Sequence, residues 1–288
     1  MSNSRFRYRT SHLCGLAIAC IIAALPVARA QQIPPGELVR VAIQNEINDG
    51  ATRSKLFTWK ERQFREHIPQ LENIVDTPSG AVSRVLLIDN KPLSPKQRSE
   101  EDARIRRMLD PAQMRRKLKE QREDDERTRK MLTAIPDAFN FSYLDTITAP
   151  NGHKLTHIRF TARPGFDPPT RESAVFTGMQ GEMLVDETAR RLAKIDGTLF
   201  RDVTFGWGVL GKLYKGGRFV VEQSEVAPSH WDTTRMILHF DGKALLVKSI
   251  HIDENETSWD YKPVPPMSVE QAMQFLTHEP AQNAMLAP

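Results

Sequence analysis

The chain has 288 residues, with 40 Lys and Arg against 36 Asp and Glu, a formal charge of +4 and a pI near 9.1. Hydrophobic residues at 40% and charged residues at 26% sit near the globular average and exclude wholesale disorder, while the length allows one large domain or two small ones. Two cysteines exclude a disulfide framework, a four-thiolate zinc site and an iron–sulfur cluster.

The first thirty residues read as an address. Arg5, Arg7 and Arg9 come without an acidic residue, a 15-residue apolar run follows at 13–27, and Ala28-Arg29-Ala30 precedes Gln31. That order predicts a secretory signal peptide cleaved after Ala30. The apolar run contains Pro26 and falls short of the ~20 residues a membrane span needs. Cys20 follows Ala17-Ile18-Ala19 and is itself followed by more apolar residues, which argues against a lipidated cysteine. The expectation is a periplasmic protein exported by a cleaved Sec-type signal, with residues 31–288 as a single domain and no transmembrane segment after cleavage. Both cysteines and the whole charge excess belong to the leader: residues 31–288 carry 36 basic and 36 acidic side chains. A nucleic-acid partner is therefore not expected.

After Pro34-Pro35-Gly36, the residues Leu38, Val39, Ala42, Ile43 and Ile47 fall at helical spacing, and Asn48-Asp49-Gly50 predicts the stop. Residues 55–64 read as a strand with Phe57 and Trp59 on one face and Lys60 and Arg62 on the other. Residues 73–77 and 82–88 read as a hairpin around Pro78-Ser79-Gly80. Residues 92–135 differ in kind, for residues 96–130 hold 13 basic and 9 acidic side chains. Ser94-Pro95 and Asp110-Pro111 each predict a helix start by cap and first-turn proline. Glu123/Arg127, Asp125/Arg129 and Glu126/Lys130 predict pairs four apart. The reading is a charged helical hairpin inserted in the domain, ending before Pro136.

Strand signals then dominate. Phe139, Phe141 and Tyr143 alternate, Pro150-Asn151-Gly152 marks a turn, and residues 155–161 return. A proline-rich loop at 164–170 and a short helix at 172–179 precede strands at 181–186, 192–204, 217–226 and 231–240. Asp241-Gly242 predicts a hairpin turn into a strand from Ala244 to Tyr261. Ser268 caps a closing helix with Val269, Ala272, Met273 and Leu276. A helix followed by successive hairpins is an α+β antiparallel meander.

Motifs that suggest chemistry lack their context. Residues 206–212 match Gly-x-Gly-x-x-Gly, but a strand follows where a phosphate site needs a helix, and Leu213 stands where magnesium binding needs Ser or Thr. His153 and His157, four apart on a strand, stand ~13 Å from each other. His230, His239, His251 and His278 form no ligand motif, although His239 and His251 could approach across the predicted hairpin. No metal, cofactor or catalytic residue is predicted, and the chain is not expected to be an enzyme.

What remains is aromatic and aliphatic alternation: Phe57/Trp59, Phe139/Phe141/Tyr143, Ile158/Phe160, Phe219/Val221 and Met236/Leu238/Phe240. Such faces fill a sheet core, or line an apolar concave face where helices cover the sheet incompletely. The signal peptide, the helix at 38–47, the strand carrying Phe57-Thr58-Trp59-Lys60-Glu61 and the long antiparallel run together resemble the outer-membrane lipoprotein-sorting proteins, the LolA/LolB-like periplasmic carriers. Phe205-Gly206-Trp207-Gly208-Val209-Leu210-Gly211, Lys215-Gly216-Gly217 and Glu225-Val226-Ala227-Pro228-Ser229-His230-Trp231 are similar to uncharacterised secreted bacterial proteins carrying a charged helical insert. The resemblance implies a curved antiparallel half-barrel sheet covered by helices, holding lipid or lipoprotein acyl chains on its concave face. The expected lining is Phe57, Trp59, Phe141, Tyr143, Phe160 and Trp231. The alternative is a periplasmic interaction or sensor module docking an envelope protein through its charged insert.

Overall fold

The structure is a computed structural model that describes residues 33–52, 56–65, 67–205, 211–244 and 248–278. The leader at 1–30, both cysteines and most of the glycine-rich segment at 206–210 lie outside the described residues.

Thirteen strands form one open antiparallel sheet. They are β1 (Leu56–Arg65), β2 (Ile68–Val75), β3 (Val82–Ile88), β4 (Lys91–Pro92), β5 (Phe139–Thr148), β6 (Lys154–Ala162), β7 (Met179–Asp186), β8 (Arg191–Leu199), β9 (Val203–Phe205), β10 (Gly211–Leu213), β11 (Arg218–Ala227), β12 (His230–Ala244) and β13 (Lys248–Val264). The order is β4-β3-β2-β1-β13-β12-β11-β8-β7-β6-β5, with β10 joining the far end of β12 and β9 joining β10. Helices α1 (Pro35–Thr52), α2 (Pro95–Met108), α3 (Pro111–Ala138) and α4 (Val269–His278), with a 3-10 helix at Glu172–Gly178, complete an α+β fold. The pairing of β1 with β13 brings early and late chain together at the centre of the sheet.

Register decides which residues share a face, because directly opposed residues project to the same side. One row runs Phe141–Phe160–Gly181–Gly197–Phe219–Leu238 across six strands. This face carries the main core: Leu38, Val39, Ala42 and Ile43 of α1, Ala134, Ile135 and Ala138 of α3, and Val175 and Phe176 of the 3-10 helix pack on Ile158, Phe160, Met183 and Ile195. A second core sits at the other end of the sheet, where Val269, Ala272, Met273 and Leu276 of α4 and Ile105 of α2 meet Val75 and Val82. Following the alternation along β13 and β1 through the pairs Phe240–Ile252, Gln63–Glu256 and Thr58–Val75 puts this second core on the opposite face. Each end of the sheet is thus covered on a different side.

Helix α1 continues through Gly50 to Thr52, past the predicted stop. Its last turns are held from outside by Arg191, on Glu46 at 2.8 Å and on Asp49 at 3.2 Å, and within the helix the Gln44 amide donates to Asn48 at 2.9 Å. Burial is the larger influence on Glu46 and raises its pKa in spite of the arginine. Helix α2 starts as predicted, with Ser94 and Gln97 forming a reciprocal capping box. Helix α3 starts at its Asp110 cap and runs two residues past Pro136. Arg163 makes that ending workable: its amide donates to the Ala138 carbonyl at 2.8 Å and its guanidinium to that of Phe139 at 3.0 Å. Of the three predicted pairs in α3, Glu126/Lys130 forms at 3.4 Å, while Arg127 and Arg129 turn to Asp124 and Glu126, three residues back. On exposed side chains either spacing contributes little to stability.

The charged helices also touch the sheet edge. Glu101 accepts the Val85 amide at 2.8 Å, Arg104 donates to the Ser83 carbonyl at 2.8 Å and Lys117 donates to the Ala81 carbonyl at 2.8 Å. Strand β4 pairs only with Leu87 and Ile88, so these side chains take up backbone groups of β3 at Ser83 and Val85 and of Ala81 just before it.

The predicted Asp241-Gly242 turn is corrected. Both residues lie inside β12, which continues to Ala244 before returning as β13. Gly242 is required there because β10 passes so close that an added Cβ would stand 2.3 Å from the Lys212 carbonyl oxygen. The predicted strand at 192–204 also divides, into β8 and β9.

Candidate functional site

The helices of the main core stop short of the middle of the sheet. Beyond Met131 of α3 and Val175 and Phe176 of the 3-10 helix, the face over β10 to β13 forms an apolar groove of about 480 Å³. Its floor follows from register. Phe219 opposes Leu238, Phe240 opposes Ile252, and Leu213 and Ile250 both oppose Gly242 from either side. Met179 and Phe205 complete the apolar lining. Glycine shapes the floor further. A Cβ on Gly197 would meet the Phe219 ring at 2.3 Å, and one on Gly217 would meet the Phe240 ring at 2.3 Å. Both rings therefore lie across bare backbone instead of standing up into the groove.

Charge is confined to three lining residues, Arg171, Glu172 and Lys212. Lys212 is paired with Asp202 at 2.7 Å, a bond that raises the lysine pKa and lowers that of the carboxylate. A larger opening of about 790 Å³ lies beside α3, between Glu46, Asp76, Gln121, Arg122 and Asp125 among others. Its mixed polar and charged walls suit water better than hydrocarbon.

The six aromatic residues selected from the sequence fall into two groups. Phe57, Trp59 and Trp231 belong to β1 and β12: Phe57 stacks on His230 with centroids 4.0 Å apart, Trp59 stacks on Tyr261 at 5.7 Å, and Trp231 is buried. Phe141, Tyr143 and Phe160 belong to β5 and β6. Phe160 is fully buried against Phe139, Phe141 meets Phe139 edge-on at 6.2 Å, and the Tyr143 hydroxyl donates to the Ile33 carbonyl. None of the six lines the groove. The alternations Phe219/Val221 and Met236/Leu238/Phe240 contain three of its floor residues. Nothing in the local sequence singles out Leu213, Ile250, Ile252 or Met131, which register and helix placement bring there.

The histidines disperse among carboxylates. His153 meets Asp186 at 2.7 Å, while His157 bridges Asp145 at 2.8 Å and Glu182 at 2.9 Å. His239 and His251 do approach, with ring centroids 5.9 Å apart, on the face opposite Phe240. Asp241 bonds His251 at 2.7 Å, lowering its own pKa and raising that of the imidazole. Among the described residues no three or more His, Cys, Asp or Glu side chains converge to hold a metal ion. Nor is any described helix long and apolar enough to cross a membrane.

Fold and groove together define an α+β protein with an open antiparallel sheet, partly covered by helices, and an apolar trough on its uncovered middle. No protein-family model and no curated protein matches the sequence. Among solved structures the chain is similar to the crystal structure of a DUF1329 family protein from Desulfovibrio piger ATCC 29098, with a TM-score of 0.28 and 9% identity over 82% of this chain and 96% of that one.

Proposed function

We propose that this protein is an exported, periplasmic carrier that holds lipid or lipoprotein acyl chains noncovalently in the groove over β10 to β13, on a curved sheet. The observation that carries the reading is the composition of the groove: eleven apolar side chains, with charge confined to Arg171, Glu172 and Lys212. A cleft of this volume, mainly apolar and with a few polar groups at its edge, has the makeup of a small-ligand site. Each methylene moved from water into it gains ~0.8 kcal/mol, so a chain of modest length binds without a polar anchor. No catalytic constellation is needed for such a task.

The test is extraction of the chain purified from its own envelope fraction, with mass spectrometry of what accompanies it, followed by titration of the delipidated protein with a fluorescent fatty acid. Saturable binding displaced by unlabelled acyl chains is expected. A preparation free of lipid that also fails to bind the probe would sink the proposal.

A further inference from the structure

The charges at the groove mouth are not equivalent. Lys212 is engaged by Asp202 at 2.7 Å. Arg171 and Glu172 are both exposed, both line the groove, and neither side chain has a hydrogen bond or ion pair among the described residues. The backbone beneath them is nevertheless fixed. The Thr170 amide donates to the Ser173 hydroxyl at 3.0 Å, the Ser173 amide donates to the Thr170 hydroxyl at 3.1 Å, and Ser173 is fully buried. One cation and one anion, adjacent in the chain, thus stand on an anchored backbone at the edge of an apolar trough.

An acyl chain lying in the trough brings its headgroup to this rim. A lone carboxylate would pair with Arg171 and be repelled by Glu172. An uncharged glycerol head would leave both charges without an ionic partner. A phosphate joined to a primary ammonium satisfies both, since the guanidinium presents a fork of donors to phosphate and the carboxylate accepts from N–H. We infer that the groove selects a zwitterionic phosphate–amine headgroup of the ethanolamine type, phosphate toward Arg171 and ammonium toward Glu172. The inference rests on the acyl-binding reading above and adds the headgroup to it.

Calorimetry of the mature chain with four oleoyl probes below their aggregation concentrations tests it: lysophosphatidylethanolamine, lysophosphatidylglycerol, oleate and monooleoylglycerol. The ethanolamine probe is expected to bind most tightly. Arg171→Gln should weaken both phosphate probes by about three- to tenfold, the scale of a charge-assisted bond at an exposed site, and leave monooleoylglycerol unchanged. Glu172→Gln should bring the ethanolamine probe down to the level of lysophosphatidylglycerol. Both residues are exposed, so neither change threatens folding. Equal binding of oleate and the ethanolamine probe, or an unchanged ranking in either variant, overturns the inference. If all four bind alike and Ile250→Glu abolishes them, the headgroup assignment falls while acyl binding stands. If none binds the unmodified chain, both fall.

Discussion

The ring of Phe57 stacks on the imidazole of His230, with centroids 4.0 Å apart and planes inclined by 18°. The strands that carry them, β1 and β12, are not neighbours, because β13 runs between. The stack is therefore a tie across the top of a strand, and Phe57 is 1% exposed. Phe57→Ala is expected to destabilise the fold by about 3–5 kcal/mol, read by urea unfolding. Phe57→Leu, which keeps most of the volume, should stay folded with unchanged affinity for an acyl probe. Loss of acyl binding in folded Phe57→Leu would move the site from the groove back toward β1.

The groove itself is best probed at Ile250, a partly exposed floor residue outside the core clusters. Ile250→Glu places a carboxylate where a ligand's methylenes would lie. Acyl affinity should fall by at least tenfold, equivalent to about 1.4 kcal/mol, with a melting temperature close to that of the parent. A variant that binds as well as the parent counts against this groove.

Gly197 controls the height of the floor. An added methyl would stand 2.3 Å from Cε1 of Phe219, so Gly197→Ala forces the ring up into the trough. A stability cost of about 1–3 kcal/mol is expected, together with weaker binding of bulky acyl probes than of slender ones. Equal losses for all probes in a titration series would argue that the ring has not moved into the binding space.

Glu101 contributes a pH-dependent part of the stability. Burial pushes its pKa up, but the Arg104 guanidinium and the Val85 amide outweigh burial and hold it below the ordinary carboxylate value. A depressed folded-state pKa stabilises above the unfolded value, and that contribution is lost as pH falls through the folded one. Glu101→Gln should therefore cost about 1–3 kcal/mol at neutral pH. The gap from the parent should narrow as unfolding is repeated toward about pH 3; a constant gap would contradict the assignment.

Local signals in the sequence were reliable where the determinant is local. Ser94 before Pro95 and Asp110 before Pro111 mark helix starts because a cap and a proline act within one turn. Asp241-Gly242 misleads because one dipeptide serves two purposes, a tight turn or a close backbone crossing, and only the position of β10 distinguishes them. The alternating faces of β11 and β12 were legible as apolar. Which stretch the helices leave bare depends on where α3 and the 3-10 helix end over the sheet, and no local window contains that information. The charge pattern of the predicted insert does not reveal that Glu101, Arg104 and Lys117 reach the backbone of β3 or the residue before it.

Those three side chains make the two ends of the sheet unequal. At one end the Val85 amide and the Ser83 carbonyl of β3 are already engaged; at the other, β5 has only β6 beside it among the described strands, and Leu144 and Ile147 are exposed there. Strand addition consumes one free edge per molecule, and a filament needs two. Among the described residues, and setting aside the three-residue β9, the longer edge left open to such addition is that of β5. The charged helices thus give the sheet a polarity: among the described residues, addition of a further strand is obstructed along β3 and unobstructed by them along β5.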